Sequence, residues 1–414
     1  MPHIFPFQPW RYSEAAGPMD HLVTQPYDKI TPAMQARYLS LSPYNLVRII
    51  LGERFPGDGE TNNVYTRAAG CLREWMRTGI LRQDDSPGLY VYFQNFTVPD
   101  TGERLTRKGF IGLGAVEEYE ARVVHRHEQT LSGPKKDRME LLRHTHAHFG
   151  QIFMLYPDPE GAVDKLLEEA AASRLPDISV ADDCGVLNQV WRVDDARPVS
   201  EIRGLMADKK LLIADGHHRY ETALAFRREN PGLAGSDKVM MTFVNMYNPG
   251  LRILASHRVV HNLAGFDATA MLDKLRSRFV IQPVPDGNAV QAAWREPHPN
   301  AIRFGVVSQG AKTVYLLETA RDRRLDVQVL HEAILRDTLG ISDEAVREEK
   351  YLHYVRGASA AAEMVSRGEA QAAFLMEPPT VDQVAEISFG GGVMPQKSTD
   401  FYPKMLSGLT IYKL

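Results

Sequence analysis

Apolar and polar positions alternate along the chain in two rhythms, and the elements they predict come in an α/β order. Ile4–Tyr12 is aromatic and carries two prolines, which forbid a helix and predict an extended segment. Gln25-Pro26-Tyr27-Asp28 predicts a turn, and Thr31-Pro32 a capped helix start. Leu46–Leu51 reads as strand-like. Asn63–Thr78 has helical spacing, with Tyr65, Ala69, Leu72 and Trp75 on one face. Gly88–Val98 and Leu105–Glu117, joined through Pro99-Asp100-Thr101-Gly102, predict a β-hairpin.

Further along, the pattern predicts a helix over Asp137–His148, a strand over Gln151–Tyr156 and a helix over Gly161–Ser173. Strand Leu187–Val193, helix Val199–Ala207, strand Leu211–Ala214 and strand Val239–Val244 follow. After Phe266 come helices at 268–278 and 288–294, strands at 280–284, 302–307 and 313–317, and an amphipathic helix over Asp326–Leu339. Segments 352–355 and 372–376 read as strands, 359–367 and 381–389 as helices. The fold class this implies is α/β (α+β) and multi-domain. Composition shifts place the boundaries near Arg122 and Gly265, giving regions 1–121, 122–264 and 265–414.

Chemistry concentrates where Leu211–Ala214 ends. Asp215-Gly216-His217-His218-Arg219 follows at once, and then a helical run. A glycine turn lets the backbone approach a ligand, and the unpaired N–H groups of a helix start favour an anion. Arg219 adds a forked cation suited to phosphate or carboxylate. Asp215 is a candidate Mg²⁺ ligand or proton acceptor, and His217 and His218 titrate near neutral pH. The bland alternative is that Asp215 only caps the helix.

Asp-Gly-His-His-Arg after a strand resembles the signature of the ParB/sulfiredoxin-like fold, and especially of the free serine kinases built on it. That likeness implies a central ParB/sulfiredoxin-like unit followed by a C-terminal α/β unit, with nucleotide phosphate at the helix start. Four separated motifs resemble a second family, called domain of unknown function 1015. They are Gln25–Ile30, Ala214–Leu224, Ser256-His257-Arg258 and Met394–Lys404. This second likeness spans nearly the whole chain and brings no chemistry with it.

Other polar clusters extend the candidate site. Glu128, in a polar stretch from His125 to Thr130, is a candidate base, and Arg138 a phosphate contact. His144 and His148 would share a helix face, but the Glu of a helical zinc motif is missing, so a solvated face is the better reading. Gly390–Gly392 followed by Lys397, Ser398, Thr399 and Lys404 resembles parts of a phosphate loop, without its spacing. Tyr27, Asp28, His257 and Arg258 are candidate substrate contacts at element ends.

Composition narrows the classes. The chain has 414 residues, 44% hydrophobic and 24% charged, as in ordinary soluble proteins. A net charge of −4 does not favour nucleic acid, and a ParB-like DNA-binding role also lacks a helix-turn-helix pattern. Two distant cysteines, Cys71 and Cys184, fit a reducing cytoplasm. Neither a signal peptide nor a membrane span is expected. The residues of the turn supply parts for a phosphotransferase using Mg²⁺ and a nucleotide, ATP or ADP, on a small hydroxylated metabolite, and the likeness to the free serine kinases implies that reading and an acceptor of the serine kind. Two alternatives stand beside it: a nucleotide- or phosphometabolite-binding regulator without turnover, and a metal-dependent hydrolase. The pattern does not give the oligomeric state.

Overall fold

The computed structural model describes residues 2–99, 101–128, 132–310, 313–395 and 397–414, with the side chains of 132–134 left aside. Asp100 of the expected turn, Gln129 and Thr130 of the polar stretch and Gln396 of the final loop lie outside them. The protein is α+β and divides into two units. One comprises Met1–Arg252, Ile387–Val393 and Pro403–Leu414; the other comprises Ile253–Glu386 and Met394–Tyr402.

The first unit is built on a mixed sheet, nine-stranded among the described residues. Its strands are β1 (Ile4–Phe5), β2 (Leu89–Thr97), β3 (Arg104–Ala115), β4 (Val124–Arg126), β5 (Ile152–Tyr156), β6 (Ile178–Ala181), β7 (Leu187–Val193), β8 (Leu211–Asp215) and β9 (Lys238–Asn245). The order is β4-β8-β5-β9-β3-β2-β7-β6, with β1 paired to β3. Strand β8 runs parallel to β4 and antiparallel to β5, while β5 and β9 are parallel. The hairpin β2–β3 forms as expected, and strands on both sides of Arg122 share the one sheet.

Helices α1 (Pro32–Leu41), α2 (Val64–Arg77), α3 (Ser132–Thr145), α4 (Ala162–Ala172), α5 (Ala196–Met206) and α6 (His217–Glu229) belong to this unit. Asn63 caps α2 through a capping box, which fixes its start. The core between sheet and helices is apolar, with Phe110, Phe243, Ile213, Tyr220 and Met154 fully buried. Burying such a side chain contributes roughly 1.5–3 kcal/mol.

Two expectations fail here for local reasons. Leu46–Leu51 is not a strand: Val47–Ile50 is a helical turn, because the Asn45 side chain accepts the Val47 N–H at 2.9 Å. A short apolar run does not distinguish the two states. The helix expected over Asp137–His148 ends at Thr145, and His146 turns left-handed with φ 47°. His148 therefore sits in a short strand paired with Tyr412, and it shares no helix face with His144. The helical pair of His144 and His148 weighed for a metal does not form.

The second unit carries a sheet, six-stranded among the described residues, of β10 (Ser256–Val260), β11 (Val280–Val284), β12 (Ala301–Ser308), β13 (Val314–Ala320), β14 (Leu352–Arg356) and β15 (Ala372–Met376). Its order is β11-β13-β12-β15-β10-β14, and each of these pairings is antiparallel. The expected helix Asp326–Leu339 runs as α-helix to Val329 and as a wider π-helical stretch over Leu330–Arg336. Among the described residues no helix is long and apolar enough to cross a membrane.

Candidate functional site

Strand β8 ends on Asp215, and Gly216 then turns at φ 94° into α6. A side chain is strained at that φ, and a Cβ on Gly216 would also lie 2.9 Å from the Arg219 guanidinium. Gly216, not Asp215, holds the N-cap position, and no side chain caps the helix. Asp215 Oδ1 instead accepts the Gly216 N–H at 2.9 Å. The first-turn N–H groups of α6 thus keep their positive end toward the turn.

The chain brings cations to Asp215 from three directions. Its Oδ2 lies 3.9 Å from Arg219 and 3.9 Å from Lys404 Nζ. Burial would raise the Asp215 carboxyl, but Lys404 above all, then Arg219 and Lys29, hold it well below the usual carboxylate range. Asp215 therefore stays ionised, which makes it a poor proton acceptor. Lys29 comes from the turn Tyr27–Lys29.

Lys404 is placed by a buried network. Arg107 on β3, about 1% exposed, donates to the Pro403 carbonyl at 2.6 Å and to Gln94 at 3.1 Å. Gln94 donates to the Lys404 carbonyl at 3.0 Å and to Asn188 at 3.0 Å. Burial brings Arg107 down to about 10, so it remains charged at neutral pH. Next along the chain, Ser407 and Thr24 exchange backbone hydrogen bonds of 2.9 and 3.1 Å, tying this segment to the Gln25–Lys29 motif.

Three histidines near the turn are shifted toward the neutral form. Burial lowers His217 well below its ordinary value and takes His127 to about 4. Their rings meet edge to face at 4.6 Å, and His127 Nδ1 donates to the Ile213 carbonyl at 2.7 Å. Burial also lowers the half-buried His218, whose Nδ1 has no hydrogen-bond partner among the described residues. Asp28 and Glu221 lie close enough to act on its charge. Glu221 on α6 is ion-paired to Lys135 and to Arg126. Two residues past the parallel pair Ile213↔Arg126 stand Asp215 and Glu128, so both carboxyl-bearing residues close adjacent parallel strands.

Arg138 and Arg219 line one cavity with Tyr27, Ser407 and Gly150. Arg138 lies over the Tyr27 ring at 4.0 Å and donates to the Ile50 carbonyl at 2.8 Å. A Cβ on Gly150 would come within 2.9 Å of the Arg219 guanidinium, so a side chain there would push the guanidinium aside.

The remaining sequence candidates belong to the second unit. His257 and Arg258, read as substrate contacts, are fully buried on β10 between β15 and β14. Burial takes His257 to about 4, and its Nδ1 accepts the Met376 N–H at 3.3 Å. Arg258 donates to the Ser256 carbonyl and, at 3.3 Å, to the Lys397 carbonyl. Lys397 is left-handed at φ 57° and lies 3.8 Å from Glu349. The Ser398 hydroxyl donates to the Pro395 carbonyl at 2.5 Å, and Thr399 is half-buried beside it. In the first unit, the Gly391 and Gly392 N–H groups donate to the Ser388 and Ile387 carbonyls, so these glycines close a helix end.

Among the described residues no three His, Cys, Asp or Glu side chains are grouped to hold a metal ion. Asp215, flanked by Lys404 and Arg219, could contact Mg²⁺ only alongside the phosphates that such an ion accompanies. Sequence reading missed Lys29, Arg107, Gly150 and Glu221. Strand alternation alone could have flagged Arg107, which shares a face with Gly109 and Ile111.

The fold and this site define a multi-domain α+β protein with a strand–glycine turn–helix at its centre of charge. The chain belongs to the family described as protein of unknown function (DUF1015), matched over residues 4–332. No curated protein matches it in sequence. Among solved structures it is similar to a conserved hypothetical protein from Pyrococcus furiosus, at 14% identity and TM-score 0.36, covering 70% of this chain and 91% of that one. It is also similar to a free serine kinase in complex with AMP, at 14% identity and TM-score 0.38, covering 70% and 88%. SbnI with C-terminal truncation from Staphylococcus aureus matches at 11% identity and TM-score 0.35, covering 72% and 85%.

Proposed function

We propose that this protein is a nucleotide-dependent phosphotransferase that moves a phosphoryl group onto a small hydroxylated metabolite. One observation carries the reading: an ionised Asp215 between Lys404 and Arg219, at the uncapped start of α6. Phosphoryl transfer needs clustered positive charge around the phosphates and a group to take the hydroxyl proton. Phosphate would sit on the first-turn N–H groups, with Arg219, Lys404 and Lys29 balancing its charge. His218, shifted toward the neutral form and with Nδ1 unpartnered among the described residues, is the proposed proton acceptor, with Glu128 as the alternative at the same strand ends. The acceptor oxygen bonds to phosphorus, the terminal phosphorus–oxygen bond of ATP or ADP breaks, and the shortened nucleotide leaves. Mg²⁺ would arrive with the nucleotide, with Asp215 or Glu128 as its protein contact.

Calorimetric titration with ATP, ADP and CTP tests the reading. Arg219→Ala is expected to weaken nucleotide binding about ten- to hundredfold, the loss of a charge-assisted contact. Unchanged affinity in a folded variant, or wild-type protein that binds none of the three, rejects it. Binding without nucleotide consumption would leave a regulator that uses the same anion site.

A further inference from the structure

Ser256-His257-Arg258 and Lys397 take no part in the proposed transfer, and they meet inside the second unit. Arg258 is the third residue of β10 and is fully buried. It stands opposite Tyr354 on β14 and Phe374 on β15. Strand alternation puts it on the same face as Val260. Val260 clusters with Phe374, Met376, Leu330 and Ile334, so the π-helical stretch Leu330–Arg336 covers that face. Among the described residues the guanidinium has only neutral partners. Nη1 donates to the Ser256 carbonyl and, at 3.1 Å, to Met376 Sδ, while Nη2 donates to the Lys397 carbonyl at 3.3 Å. The Tyr354 ring centre lies 5.1 Å from the guanidinium carbon. Nε is buried and has no partner among the described residues. A guanidinium has five N–H donors, so Nε–H and a second Nη2–H stay open along one edge of the fork. Burial takes Arg258 to about 10, so it is charged at neutral pH. Asp215 acts on the charge of the equally buried Arg107, but no carboxylate among the described residues acts on that of Arg258. A buried charge without a counter-ion destabilises the fold that holds it. His331, in the π-helical stretch, has a buried Nε2 that also has no partner among the described residues. Burial first, and then the charge of Arg258, take this histidine to about 3. It is therefore neutral, and a neutral imidazole can present Nε2–H as a donor.

We propose that Arg258 and His331 form an oxyanion site in the second unit, which takes the carboxylate or phosphate group of a small molecule between β10 and the π-helical stretch. The proposal goes beyond the phosphotransferase reading and shares no residue with it. The open edge of the Arg258 fork matches two oxygens of such a group with two charge-assisted hydrogen bonds. His331 Nε2–H adds a third donor, and the anion supplies the counter-charge that Arg258 lacks. The wider turn of a π-helix, which recurs at functional sites, carries His331 over the sheet. Lys397 is exposed, and its carbonyl makes the longer of the two oxygen contacts to Arg258. The anion enters past Lys397 and takes the place of that carbonyl on Nη2. The left-handed φ of 57° at Lys397 is a conformation that recurs at ligand clamps.

The test titrates acetate and inorganic phosphate calorimetrically, at fixed ionic strength in chloride, into the full wild-type chain and into Arg258→Met, His331→Phe and Arg219→Ala. At least one of the two anions is expected to bind the wild type. Arg258→Met should weaken that binding at least about tenfold, the loss of hydrogen bonds to a charged group, and His331→Phe about three- to tenfold. Arg219→Ala should leave it within about twofold. Binding of acetate alone identifies a carboxylate ligand, of phosphate alone a phosphorylated one, and of both the oxyanion chemistry they share. A wild type that binds neither anion overturns the proposal, and so does unchanged affinity in either folded variant, Arg258→Met or His331→Phe. If Arg258→Met does not fold, His331→Phe still decides, because it removes a donor and leaves the buried charge in place. Phosphate binding lost in Arg219→Ala but kept in Arg258→Met belongs to the turn; that pattern overturns this site and leaves the phosphotransferase reading intact.

Discussion

The two sheets use similar segments but are wired differently. In the first unit β8 runs parallel to β4, so the carboxyl ends of two neighbouring strands finish at the same edge. In the second unit the six-stranded sheet is antiparallel at each pairing. Parallel ends collect whatever follows the strands, here Asp215, Gly216 and Glu128, and they hand the chain to a helix start. An antiparallel sheet returns its ends to opposite edges, so its polar residues do not gather in this way. His257 and Arg258 illustrate the second case: both are chemically able, and both are buried within one strand of the sheet.

The largest test of this contrast is Asp215→Asn. Asparagine keeps the shape and would serve as a cap, but it loses the charge that faces Lys404 and Arg219. Any nucleotide consumption is expected to fall at least about a hundredfold, as when a preorganised electrostatic partner is removed. Steady-state assays paired with thermal melting check this. Full activity in the variant would mean that the parallel strand ends do not organise catalysis.

The next test uses an arginine in each unit. Arg107 and Arg258 are both fully buried, and burial takes each to about 10. Each donates to a backbone carbonyl in the C-terminal segment, Pro403 in one unit and Lys397 in the other. Methionine at either position leaves that carbonyl without its donor, a loss of about 1–3 kcal/mol measurable by urea unfolding. The two variants should differ in binding. Arg107→Met frees the segment that places Lys404, so nucleotide affinity should drop several-fold. Arg258→Met should leave affinity unchanged. Equal loss in both would abolish the distinction between the units.

The turn itself was legible in the sequence because it is local: an apolar run, a glycine, and a helical pattern in succession. The same holds for the hairpin. What surrounds the turn was not legible in the same way. Lys404 reaches Asp215 only because Arg107, Gln94 and the Thr24–Ser407 bridge draw the C-terminal segment in, and each contact joins residues far apart in the chain. Arg138 was singled out for phosphate; it lies over Tyr27, is paired to Asp137 and lines the same cavity as Arg219. The burial of the histidines was not legible either: it depends on neighbours distant in the chain, and it lowers His127, His148, His217 and His257 below the ordinary value.

The smallest expected effect is at Lys397, where sequence chemistry and structure part most clearly. The segment has glycines, lysine, serine and threonine, as an anion loop would. Its groups are already engaged: Gly391 and Gly392 end a helix, the Ser398 hydroxyl serves Pro395, and the Lys397 ammonium lies near Glu349. An exposed ion pair of this kind is worth roughly 0–1 kcal/mol. Lys397 is also left-handed at φ 57°, a conformation that disfavours a side chain by about 1–2 kcal/mol. Lys397→Gly should relieve that strain and offset the added freedom of the unfolded chain, for a net stability change between zero and about +1 kcal/mol. Nucleotide affinity should stay within about twofold of wild type. The opposite result is equally informative, because left-handed residues outside glycine are concentrated at ligand clamps. A tenfold loss of affinity in a variant that melts normally would mean that the strain at Lys397 serves the ligand.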